Sequence, residues 1–184
     1  YNTCLLADYL SEGAAPKTIW TKTSQFFTEH NITLQRDTRI VELNPLQQYA
    51  LDQHGTRYSY DTVFIGTGTS AHRLPTEKPV LSGLFGFQTM YDTQSIDTFI
   101  RTENPQSAIV IGAGLSGIEC ADALNERGIS VTIVEYGTHL LPTLLNSSAS
   151  SALVHHINKT TTVYKTECGV AQVCVSAHGR ASGV

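Results

Sequence analysis

The stretch that decides the fold is Ser107–Glu135, SAIVIGAGLSGIECADALNERGISVTIVE. It reads as a strand, a glycine turn, a helix and a second strand closed by an acid. Ile109, Val110 and Ile111 form a short apolar run that fits a strand buried on both faces. Gly112, Gly114 and Gly117 follow at once. The first allows a tight turn, the second lets backbone approach a pyrophosphate, and the third lets the helix pack closely on the strand. The helix then aims its free N–H groups and the positive end of its dipole at that phosphate. Gly128 stops the helix, and Ser130–Val134 is the return strand. Glu135 lies about 20 residues past the glycines, where a carboxylate can accept hydrogen bonds from a ribose. A glycine-rich turn in an ordinary βαβ unit does not call for three glycines at this spacing and a terminal acid, so the stretch reads as a dinucleotide site.

Around this unit the composition is that of a globular chain. Its 184 residues can hold one domain or two small ones, and 41% apolar content suffices for a core. Net charge is −4 with scattered Lys and Arg, which argues against a nucleic-acid surface. No apolar run reaches the length of a membrane span and no leader peptide is visible, so a cytoplasmic protein is expected. Tyr1 stands where a methionine would open a gene product, as in a processed form or an excised piece. Cys4, Cys120, Cys168 and Cys174 show no metal-ligand spacing, so no metal is expected. Cys120 reads as packing within the helix.

Working outward, Tyr1–Leu10 reads as a helix, residues 11–16 as a loop, and Thr18–His30 holds a second helix. Ile32 and Leu34 are expected to begin a strand, and Thr38–Leu43 alternates as a strand does. Asn44-Pro45 turns the chain. Gln48–Asp52 and Thr56–Tyr60 pair as a hairpin about His54-Gly55. Asp61–Ile65 reads as a short apolar strand ending in Gly66-Thr67-Gly68. Residues 71–86 read as an interdomain connection, and Tyr91–Arg101 as a helix broken by Asn104-Pro105. Past Glu135, a helix is expected over Ala149–Ile157 and a strand over Thr160–Tyr164. Residues 175–184 carry no clear pattern.

Four stretches together resemble the flavin-dependent pyridine nucleotide–disulfide oxidoreductase superfamily: YNTCLLADYL, YDTVFIGTGTSAHRLP, IGAGLSGIECADAL and HLLPTLLN. The nearest branch is the rubredoxin/ferredoxin reductases and the flavin part of the nitrite reductase large subunit. The resemblance implies an α/β fold, a Rossmann-like NAD-binding βαβ domain joined to part of an FAD-binding domain, three-layered with a β-hairpin or meander. It implies a partial FAD-binding domain over residues 1–78 and an NAD(H)-binding domain over 79–184, incomplete at its C-terminal part. The family's own flavin GxGxxG and its closing Gly-Asp segment have no counterpart here. The cofactors implied are FAD and NADH. The implied activity is hydride transfer from NADH to flavin, then electron transfer to a small redox protein such as rubredoxin, ferredoxin or a nitrite reductase centre.

By the same resemblance, Ile40 would approach the adenine end of the flavin, and Thr67 and Gly68 would lie near the flavin nucleotide. Gly112, Gly114, Leu115, Ser116 and Gly117 would cradle the NADH pyrophosphate. Glu119 would sit near the nicotinamide carboxamide, against the plainer reading of a solvated helix-face carboxylate. Glu135 would bind the adenosine ribose. Tyr136 and Gly137 offer no cation for a 2′-phosphate, which favours NADH over NADPH. The chain departs from the family at Thr3, where many relatives have Arg, and at Asp8, where ferredoxin reductases have Lys. Two alternatives stand beside this reading. One is a truncated, non-catalytic NAD(H)-binding module. The other is a disulfide reductase or NADH oxidase working through Cys4, which otherwise reads as a small buried residue.

Overall fold

The computed structural model describes residues 1–12, 19–72, 74, 81–157 and 162–184. Of the expected loop at 11–16, residues 13–16 lie outside them and Ser11 and Glu12 are helical instead; the ends of the expected elements at Thr18 and at residues 160–161 also lie outside, as does much of the expected connection at 71–86. The chain forms two compact units, Tyr1–Thr21 with Ser70–Val184, and Lys22–Thr69. After a 3-10 turn at Thr3–Leu5, helix α1 (Leu6–Glu12) buries Leu6, Tyr9 and Leu10 within the first unit.

The second unit holds helix α2 (Ser24–Glu29) and an antiparallel sheet of β1 (Ile40–Asn44), β2 (Tyr49–Asp52) and β3 (Arg57–Ser59), in that order. The second helix expected within Thr18–His30 forms over Ser24–Glu29, and Ile19 is buried in the first unit's core. Ile32 and Leu34 form no strand and are exposed. The hairpin is as read, with Ala50 opposite Tyr58. Its turn is held by Asp52, 4% exposed, whose carboxylate accepts from the N–H groups of His54 (2.8 Å) and Thr56 (2.8 Å) and from the Tyr58 hydroxyl (3.0 Å). The expected strand at Asp61–Ile65 is not one. Among the described residues no strand lies beside it, and Phe64 is 96% exposed. A run apolar on both sides needs two neighbours before its backbone and side chains are satisfied.

The rest of the first unit follows in chain order. Helix α3 (Met90–Glu103) starts on a capping box, Thr89 with Asp92, and ends at Asn104 in the left-handed conformation. Next come β4 (Ser107–Ile111), α4 (Leu115–Glu126), β5 (Ser130–Val134), α5 (Ser147–Ile157) and β6 (Thr162–Lys165). The strands form a parallel sheet in the order β4-β5-β6, with Val110 opposite Ile133 and Ile133 opposite Tyr164. A hairpin of β7 (Cys174–Val175) and β8 (Ala181–Gly183) closes the chain, where no pattern had been legible.

Val131, Ile133, Ala121, Leu124 and Leu140 are in the main core, each large side chain contributing about 1.5–3 kcal/mol by burial. Arg127 joins three helices: its guanidinium donates to the Leu10 carbonyl (2.8 Å) and pairs with Asp97 (2.9 Å). β4 differs from expectation. Ala108 and Val110 pack on the core, but Ile109 and Ile111 are 42% and 40% exposed. Alternate side chains of β4 thus face the core and solvent, so its apolar run reports sheet membership and not double burial.

Candidate functional site: the glycine turn and its acid

The three glycines of the turn stand in three different settings. Gly112 has φ +99°, a conformation that side chains rarely adopt. Gly117, in the first turn of α4, leaves no room: an added Cβ would run into the Gly112 carbonyl oxygen. Gly114 is different. Its φ of −71° and ψ of 176° suit any residue, and an added Cβ would meet no atom within 4 Å. Nothing inside the protein calls for glycine there. Backbone open in this way is what a phosphate group approaching the turn would need.

Gly114 is also the N-cap of α4, and no side chain caps that end. The first-turn N–H groups, including those of Leu115, Ser116 and Gly117, therefore keep donors and a partial positive charge for an anion. No acid occupies the first turn to compete.

Glu135 stands at the rim, at the C-terminal end of β5. Its Oε2 accepts from the Ala113 N–H at 2.6 Å, and its Oε1 from the Gly137 N–H at 2.7 Å. The structure thus brings Glu135 directly onto the glycine turn. Each oxygen retains a further lone pair for a hydroxyl donor. Nearby, burial first and the charge of Glu135 second push the Tyr164 phenol above its ordinary pKa. Its buried hydroxyl has no partner among the described residues.

An open pocket of about 400 Å³ lies beside the turn, lined by Ile111, Gly112, Glu135, Tyr136, Gly169 and Val170 among others. Its far wall was missed in the sequence. Residues 167–170 are tied to the β5 end by the Glu167 N–H to the Gly137 carbonyl (3.0 Å) and the Cys168 N–H to the Glu135 carbonyl (3.1 Å). The available signal was Cys168-Gly169 shortly beyond the strand Thr162–Lys165, since ligands of parallel sheets bind beyond the carboxyl ends of the strands.

Glu119 does not line this pocket. It sits in the second turn of α4 and lines a separate groove of about 140 Å³ with Cys4, Asp8, Asp122 and Glu126. Cys4, read as buried, is exposed, with its backbone N–H on the Asn2 side chain (3.1 Å). Cys120 is packing as read, and burial pushes its thiol up to about 12. Ile40, Thr67 and Gly68 belong to the second unit and are exposed. Ile40 opens β1 opposite Asp52. Gly68 has φ +70°, and neither Gly66 nor Gly68 would meet an atom within 4 Å on gaining a Cβ. Among the described residues no cluster of side chains suits a metal ion, and no helix is long and apolar enough to cross a membrane.

A parallel βαβ unit whose turn is open at its second glycine and closed by a terminal acid defines the Rossmann-like class of α/β proteins. The particular family follows from comparison with known proteins. The chain belongs to the pyridine nucleotide-disulphide oxidoreductase family, whose model matches residues 1–180. It is 29% identical over 153 residues to the assimilatory nitrate reductase electron transfer subunit of Bacillus subtilis, covering 83% of this chain and 20% of that one. It is 27% identical over 143 residues to a rubredoxin-NAD(+) reductase of Pseudomonas putida, covering 78% of this chain and 37% of that one. Among solved structures, an NAD-dependent persulfide reductase from A. fulgidus superposes with a TM-score of 0.87 at 21% identity, over 100% of this chain and 35% of that chain. The chain therefore spans well under half the length of these relatives.

Proposed function

We propose that this chain is the NADH-binding part, with a portion of the flavin-binding part, of an FAD-dependent NADH oxidoreductase. Residues 79–184 would serve NADH and residues 1–78 the flavin. When bound, the two cofactors supply hydride transfer from the nicotinamide and onward electron delivery. The observation that carries the reading is Gly114, a glycine that the fold itself does not need, at the uncapped N-terminus of α4 and within a turn fixed by Glu135.

The chain's own residues have definite tasks. The N–H groups of Leu115, Ser116 and Gly117 would meet the pyrophosphate with fixed dipoles. Glu135 would accept from the adenosine ribose with its remaining lone pairs. A 2′-phosphate would bring its charge against this carboxylate with no cation supplied by Tyr136 or Gly137, so NADH is favoured over NADPH. Glu119 would lie toward the nicotinamide carboxamide, and Ile40, Thr67 and Gly68 would present backbone to the flavin. The acceptor proposed is a small redox protein of the rubredoxin or ferredoxin kind, or a nitrite reductase centre, and the compartment proposed is the cytoplasm.

Two readings remain alongside. All the residues assigned to NADH lie in one unit, which is what a non-catalytic NAD(H)-binding module requires. Cys4 is exposed in the same groove as Glu119, which is what a thiol-based disulfide reductase or NADH oxidase requires. Calorimetric titration of the purified chain with NADH, and of the chain with Gly114→Val, tests the main reading. Binding by the parent chain and its loss in the folded variant is the expected result. Equal binding by both removes the assignment. Flavin absorption after incubation with FAD separates the enzyme from the module, and NADH turnover by Cys4→Ser separates the thiol mechanism.

A further inference from the structure

Ala113 is the fixed point of the turn. It is 0% exposed, and both of its peptide groups are held by the segment that follows β5. Its N–H donates to Glu135 Oε2 at 2.6 Å, and its carbonyl accepts from the Leu141 N–H at 3.0 Å. The other Glu135 oxygen is bound by the Gly137 N–H at 2.7 Å. Leu141 itself sits at φ +49°, a left-handed backbone that leucine rarely adopts. At Gly137 an added Cβ would come within 3.1 Å of Glu135 Oε1 and 3.4 Å of Pro142. The segment from Glu135 to Leu141 is thus built closely around the turn.

We propose that Glu135 is a positioning residue as well as a ribose acceptor: its carboxylate, spanning Ala113 and Gly137, braces the glycine turn in its phosphate-ready shape before the nucleotide arrives. A carboxylate is the only neutral-pH side chain of this length with two acceptors and no donor, so it alone can satisfy two converging N–H groups. A glutamine there must turn its NH2 toward one of them, leaving donor against donor. The preformed turn would lower the ordering cost of binding, which is otherwise subtracted from affinity. This proposal rests on reading the turn as an NADH cradle, but the brace is measurable without NADH.

The test is amide hydrogen exchange of the ligand-free chain, followed by NMR, for the parent and Glu135→Gln. The brace requires the Ala113 and Gly137 amides to exchange faster in the variant by on the order of tenfold or more, as expected when a charge-assisted bond is lost, while Ile109 and Val131 in the strands keep their rates. Unchanged rates at Ala113 and Gly137 would overturn it, leaving Glu135 a ribose contact only. Should Glu135→Gln fail to fold, Gly137→Ala supplies the second variant. It keeps the ribose-binding carboxylate but crowds Oε1, and the brace requires faster exchange at Ala113 there too. A rate at Ala113 equal to the parent's in that variant refutes the brace. Altered exchange in the variant, together with no NADH binding by the parent chain, would instead refute the cradle and keep the brace.

Discussion

Asp52 and Glu135 do the same thing to two different turns. Each is an acid at the end of a strand, and each accepts two backbone N–H bonds from the loop beyond it or beside it. Around Asp52 the set is closed. The Tyr58 hydroxyl supplies a third donor and the residue is 4% exposed, so no ligand can use it. Around Glu135 the set is left open, beside a pocket of about 400 Å³ and a helix end with free N–H groups. The same carboxylate chemistry serves a hairpin in one unit and a candidate binding site in the other. What separates them is access, and access is a property of the surroundings, not of the acid.

The contrast is most sharply broken at glycines. Gly114→Val places a side chain where the protein has empty space and an ordinary φ, so the fold should keep its melting temperature. NADH affinity should fall by on the order of a hundredfold, since overpacking a contact costs about 2–3 kcal/mol. Gly55→Ala, in the Asp52 turn, should do the reverse. Gly55 has φ +84° with open space around it, so the cost is backbone strain of about 1–2 kcal/mol in stability with NADH affinity unchanged. Between these in effect on binding lies Glu135→Gln. Loss of a charged hydrogen-bond acceptor should weaken NADH by about tenfold or more in titration calorimetry, whereas Asp52→Asn should lower the thermal stability of the hairpin and leave NADH affinity alone.

Acid titration gives a smaller effect. Burial pushes the Asp52 carboxyl up, but the N–H groups of Thr56 and His54 and the Tyr58 hydroxyl outweigh it and hold the pKa below its ordinary value. The folded value is therefore lower than the unfolded one. Its stabilising contribution is present above roughly pH 4 and is lost as pH falls through the folded value. Circular dichroism melts between about pH 5 and pH 2 should show this acid sensitivity in the parent and less of it in Asp52→Asn.

How much of this was legible in the sequence depends on where each signal originates. The βαβ unit was readable because glycine spacing, helix stop and terminal acid are local, and Gly112, Gly117 and Gly128 each carry a backbone requirement. The hairpin was readable for the same reason, through Asn44-Pro45 and His54-Gly55. What failed was tertiary. Apolar runs at Ile32–Leu34 and Val63–Ile65 have strand composition, but a strand exists only with a partner, and none lies beside them among the described residues. The alternating exposure of β4 comes from a core packed on one of its faces among the described residues, which its composition does not encode. Of the candidate site, Glu135 meets the glycine turn through the Ala113 N–H. Cys168–Val170 was missed because it reaches the pocket through backbone bonds to Glu135 and Gly137, which leave no side-chain pattern.

The most direct measurement is a chemical-shift footprint of NADH on the isotopically labelled chain. The expected result is saturable shifts at Gly112–Gly117, at Glu135–Gly137 and at Gly169–Val170, with the amides of His54 and Thr56 in the closed turn unmoved. Shifts confined to other residues, or none at NADH concentrations up to about 1 mM, the upper end of ordinary substrate affinities, would contradict the assignment of the glycine turn as the nucleotide site.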